Sequence, residues 1–107
     1  MRLIPLLLLS ACAIPGQRYV GALTPEVPSA ACRPSRASLV LRGGAAVFTP
    51  DEGTWTLTGP VANNTLTAER TARGSYAARI EARWTATAAE GTYTTPRCKF
   101  RLTAEPR

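Results

Sequence analysis

Three cysteines, at positions 12, 32 and 98, are the most reactive side chains in this sequence. A thiol can serve as nucleophile, soft-metal ligand, lipid acceptor or half of a disulfide. An odd number sets one cysteine apart from a pair, and none stands in the C-x-x-C spacing of a redox-active couple. Histidine is absent, which removes the usual general base, the neutral-pH switch and the commonest transition-metal ligand together. Serines and threonines are plentiful, but none has a histidine to activate it. The single lysine, Lys99, is a poor basis for a Ser–Lys pair. Asp51 and Glu52 are adjacent acids in Pro50-Asp51-Glu52-Gly53. Catalytic carboxylates oppose each other across a cleft, whereas neighbours in a turn more often just solvate it. Two carboxylates also under-determine a metal site. No Gly-rich phosphate loop, G-x-S-x-G or H-E-x-x-H occurs. These residue types imply a protein that is not an enzyme and uses no cofactor and no metal.

The opening Met1-Arg2-Leu3-Ile4-Pro5-Leu6-Leu7-Leu8-Leu9-Ser10-Ala11-Cys12 has one positive charge, an apolar run and small residues before a cleavage point. Those are the parts of an export signal, and the run is too short to span a bilayer, which takes about 20 apolar residues. Leu9-Ser10-Ala11-Cys12 closely resembles the lipobox of bacterial lipoproteins. The resemblance implies that residues 1–11 are removed and that Cys12 becomes a lipidated N-terminus, the anchor to the membrane. Two or three acyl chains make such attachment effectively stable. Alanine rather than aspartate at position 13 implies, by the same resemblance, the outer membrane facing the periplasm. In that oxidising compartment the two remaining cysteines, Cys32 and Cys98, are expected to bridge.

The elements that must position these groups read as strands. Residues 12–36 carry Pro15, Gly16, Pro25, Pro28 and Pro34 without a sustained period and read as a lipidated N-terminus and tether. From Ala37 the period becomes two. Leu39 and Leu41 alternate with their neighbours, a short run follows over 45–49, and Pro50 to Gly53 makes a turn. Trp55, Leu57 and Gly59 alternate with threonines. Asn63-Asn64 reads as a hairpin turn, followed by Leu66 and Ala68 on one face. The longest alternation runs from Tyr76 to Ala88, with Ile80 and Trp84 inward and Arg79, Glu81 and Arg83 outward. Glu90-Gly91 reads as a turn, Tyr93 as part of a short strand, and Cys98, Phe100, Leu102 and Ala104 as the inner face of the last one. Residues 37–107 thus predict an all-β domain: a small antiparallel meander of six or seven strands, closed into a barrel or folded into a sandwich, stapled by one disulfide. The chain is 45% hydrophobic, much of it alanine, and only 7% aromatic. Trp55, Tyr76, Trp84, Tyr93 and Phe100 are therefore expected in a thin core that benefits from the staple.

The formal charge is +6, and twelve of the thirteen basic residues are arginine. Arg79 and Arg83 fall on the outer face of the long strand; Arg97, Lys99 and Arg101 fall on that of the last. If those two strands pair, five cations share a surface opposed by Glu81 alone, a candidate anion-binding face; otherwise the arginines form a plain solvated face. Export argues against nucleic acid as the partner. Two readings follow: a lipid-anchored cell-envelope protein with a structural or interaction role, or a binder or inhibitor of an envelope enzyme or anionic envelope polymer. Small all-β lipoproteins that inhibit lysozyme are similar in size, anchoring and disulfide use, and Gly74-Ser75-Tyr76 faintly echoes their loop motif. Phe48-Thr49-Pro50-Asp51-Glu52-Gly53-Thr54-Trp55 and Gly91-Thr92-Tyr93-Thr94-Thr95-Pro96-Arg97-Cys98 resemble uncharacterised small lipoproteins of alphaproteobacteria.

Overall fold

The computed structural model describes residues 17–50, 56–71 and 77–107. Their alternation resolves into eight strands: β1 (Arg18–Pro25), β2 (Ser35–Arg42), β3 (Ala45–Pro50), β4 (Leu57–Ala62), β5 (Thr65–Thr71), β6 (Ala77–Trp84), β7 (Ala89–Thr94) and β8 (Lys99–Pro106). Each pairs antiparallel with the next, and β1 also pairs with β8, so the meander is a closed barrel rather than a sandwich. Closure gives every strand two neighbours and leaves no sheet edge exposed.

The strand beyond the expected number is β1, inside the segment 12–36 that reads as tether. Tyr19, Gly21, Leu23 and Pro25 do fall on one side of it, but a glycine and a proline fill two of those four positions and hide the period. Its hydrogen bonds come from β2 and from β8 at the far end of the chain, so local sequence carries little of the signal. The connection from Cys12 to the barrel is correspondingly short. A second correction concerns the longest strand. β6 stops at Trp84, where Thr85 N–H donates to the Ala88 carbonyl at 2.8 Å and turns the chain. Glu90 and Gly91, expected as a turn, lie inside β7. The turn residues Thr85 to Ala88 continue the alternation by composition alone. The hairpin at Asn63-Asn64 is as expected, with φ of 54° and 61°, the left-handed pair that a two-residue turn matched to sheet twist requires. The signal segment, Cys12, the Asp51–Glu52–Gly53 turn, Trp55, and Gly74-Ser75-Tyr76 lie outside the described residues.

Eight strands leave an interior just wide enough for side chains to fill. Small residues (Ala37, Ala46, Ala68, Ala78, Ala82, Ala89, Ala104) share it with Tyr19, Phe48, Trp84, Tyr93 and Phe100, and Leu23, Leu39, Leu57, Leu66, Ile80 and Leu102 complete the packing. The alanine-heavy composition is thus what a narrow barrel accommodates. Tyr93 packs between two other rings, tilted against Phe48 with centroids 5.2 Å apart and stacked on Phe100 at 5.9 Å. Strand directions give the barrel two poles. One gathers the start of β1, the hairpins at 43–44 and 63–64, the 85–88 turn and the end of β8. The other carries the β1–β2 loop and the 95–98 turn, joined by the Cys32–Cys98 disulfide, whose Cα atoms are 5.6 Å apart. The expected bridge is present, and it sits at the pole opposite the one where β1 begins.

Candidate functional site

The outer wall of β5 to β8 holds the cations singled out in the sequence, and strand order decides how they meet. β6 and β8 do not pair; β7 runs between them. Arg79 stands beside Thr94 and Arg83 beside Glu90 on β7, which in turn places Thr94 against Lys99 and Thr92 against Arg101. Threonines and a carboxylate therefore separate the two basic rows. Nor is Glu81 the sole opposing acid. Arg79 donates to Glu69 on β5, its cross-strand neighbour, and to Glu81 Oε2 at 2.6 and 3.0 Å. Those two carboxylates, Glu81 foremost, hold the Arg79 guanidinium above its ordinary value. Arg83 pairs with Glu90 at 3.0 Å. Half-exposed pairs of this kind contribute little stability, but they cancel the field of both β6 arginines. Among the described residues Arg97, Lys99 and Arg101 form no ion pair, so the cationic part of the face is confined to β8 and the turn before it.

Two open grooves cross this wall. The first, of about 870 Å³, runs over β1, β8, β7 and β6 and is edged by Arg36, Asn64, Arg83, Glu90, Thr103 and Glu105. The second, of about 480 Å³, adjoins it over β5 to β8, where Thr67, Glu81, Thr92 and Arg101 face outward. Apolar surface makes up most of the lining of the first, with hydroxyls, amides and charges at its edge, whereas the second is lined mainly by polar groups. Among the described residues no cluster of three or more Cys, Asp or Glu could hold a metal ion.

At the pole where β1 begins, Tyr19 reaches across the barrel mouth. Its hydroxyl donates to the Thr85 carbonyl at 2.5 Å and accepts from Gln17 Nε2 at 3.0 Å. Burial pushes its phenol up from the ordinary 10.0. The folded state then holds that proton more tightly than the unfolded chain, so the associated stability is intact below about pH 10 and is lost as pH rises through the folded value. Tyr19→Phe should cost about 1 kcal/mol at neutral pH through the lost hydrogen bond and flatten the alkaline fall in melting temperature. Parallel alkaline profiles for the two proteins would contradict this.

Sequence reasoning missed Tyr19 and Arg33, both inside the segment taken as tether. The available signal for Arg33 is its place beside Cys32, since whatever flanks one bridged cysteine is held near whatever flanks the other. No family model matches the chain, and neither does any curated protein or any solved structure.

Proposed function

We propose that this chain is a lipid-anchored protein of the bacterial cell envelope, held at Cys12 on the outer membrane facing the periplasm, whose barrel has a structural or interaction role without catalysis. The observation that carries the reading is the lipobox-like Leu9-Ser10-Ala11-Cys12 followed, after only five residues, by Arg18 and β1. Five residues reach at most about 18 Å when fully extended, so an acylated Cys12 would hold the Tyr19 pole close to the bilayer and present the disulfide pole outward. The chemistry of the chain supports a non-catalytic role, because its hydroxyl side chains have no histidine partner. A fatty-acid analogue supplied in growth medium should label the wild type and leave Cys12→Ser unlabelled; equal labelling of both would refute the anchor.

A second reading, a binder of an anionic envelope polymer or inhibitor of an envelope enzyme, is favoured by Arg97, Lys99 and Arg101, which have no carboxylate partner among the described residues, unlike Arg79 and Arg83.

A further inference from the structure

The disulfide does more than join two loops, because cations flank both of its ends. Arg33 follows Cys32, and Arg97 and Lys99 stand on either side of Cys98. With the cysteine Cα atoms 5.6 Å apart, three exposed cations from opposite ends of the domain are held covalently within one small area. Cys32 Sγ itself lies 3.4 Å from the Arg97 carbonyl oxygen. Both turns are stiffened from within. Ser29 and Cys32 exchange backbone hydrogen bonds at 3.1 and 3.2 Å, while Thr95 N–H donates to the Cys98 carbonyl at 2.8 Å and Cys98 N–H to Thr95 Oγ1 at 3.0 Å. Glu26 N–H donates to the Lys99 carbonyl at 2.8 Å, locking the loop onto β8. Arg101 continues the row two residues further along the same outer face.

Close like charges raise the energy of the fold. On β6 that cost is removed by Glu69, Glu81 and Glu90; here no carboxylate among the described residues does so. Among the described residues Glu26 is the carboxylate on the adjoining segment, and it forms no ion pair with the cluster; Asp51 and Glu52 lie outside the described residues. Cations without a carboxylate partner among the described residues, set on a hydrogen-bonded backbone frame, make an anion receptor whose backbone has little ordering left to do on binding. Its groups are carried by a loop, a turn and a strand. That arrangement suits a tetrahedral oxyanion, which offers oxygens in several directions, better than a planar carboxylate, and guanidiniums engage phosphate through paired hydrogen bonds.

We propose that Arg33, Arg97 and Lys99, extended by Arg101, form a site for a polymer of closely spaced phosphates at the disulfide pole. The site rests on the lipid-anchored reading only for facing away from the membrane; the binding itself does not depend on Cys12.

The test is binding of labelled inorganic polyphosphate to the purified full chain, followed by anisotropy. Arg33→Gln, in a loop outside the strands, should weaken binding roughly fivefold, as should Arg97→Gln, whereas Arg79→Gln should leave it unchanged. Binding should fade as salt rises from about 0.1 to about 1 M, where the screening length shrinks from about 10 to about 3 Å. Indifference to Arg33→Gln, or an equal loss in Arg79→Gln, would overturn the proposal. So would orthophosphate competing as well as the polymer at equal phosphate, or Arg33-dependent binding to phosphatidylglycerol vesicles without binding to polyphosphate, which would assign this pole to a lipid surface. Acylation of Cys12, read by mass spectrometry on the same preparation, reports separately on the anchor.

Discussion

Replacing Gly21 with alanine should cost about 3 kcal/mol or more, at the upper end of what overpacking produces, and lower the melting temperature by roughly 12–24 °C. A Cβ at this position would sit 1.9 Å from the Thr103 carbonyl oxygen and 2.4 Å from the Ala104 Cα. Both obstacles are backbone of β8, the strand whose pairing with β1 closes the barrel. No side-chain rotation relieves such a clash, so either the seam opens or β1 shifts along its length. Gly44→Ala is the control. It meets no atom within 4 Å, and a permissive glycine-to-alanine change gains about 0.4–1 kcal/mol by restricting the unfolded chain. Thermal melts of the two variants should move in opposite directions. A Gly21→Ala protein within about 1 kcal/mol of wild type would mean that β1 is not closed against β8 as described.

Removing the disulfide should cost about 4 kcal/mol, the loop-entropy value for a closure of this size, since the bridged cysteines are 66 residues apart. The bridge shortens the unfolded ensemble from the β1–β2 loop to the last strand, almost the whole described domain. Cys32→Ala/Cys98→Ala should therefore still fold into the barrel, with its denaturation midpoint well below that of the oxidised protein. Wild type under a dithiol reductant should match the double variant. Identical midpoints with and without reductant would show that the bridge is open in the native protein or that the unfolded chain gains nothing from losing it.

The sequence makes the strands legible where a large apolar residue marks the inner face. Leu39, Leu66, Ile80, Trp84, Phe100 and Leu102 are all inside, as their alternation implies. It misleads where the inner face has no side chain to show. Gly21 and Gly91 occupy inward positions at which a neighbouring backbone fills the space of a Cβ, so β1 looked like tether and β7 like a turn. It misleads again where alanine continues a pattern past its structural end, as at Ala86 and Ala88. The candidate face was half legible. Which residues point outward follows from period two, but whether Arg83 meets Arg101 or Glu90 depends on strand order, and Glu90-Gly91, inside the intervening β7, reads in sequence as a turn. Arg33 became part of a cluster only through the disulfide, a contact between distant segments that no local pattern encodes.

The placement of the two poles also fixes how the domain would bear load. β1 begins at the pole of the Tyr19 hydroxyl and ends beside the loop that carries Cys32, with β2 along one side and β8 along the other. Tension between an anchored N-terminus and a partner gripped at the disulfide pole would run along the axis of β1. Ladder hydrogen bonds lie across the strands, so such a pull loads both seams of β1 in shear, all at once, instead of peeling them one by one. The covalent bridge passes part of that tension directly into β8. A small barrel pulled at the start of β1 and at the disulfide pole would resist along that axis and be weakest to a force that peels it sideways.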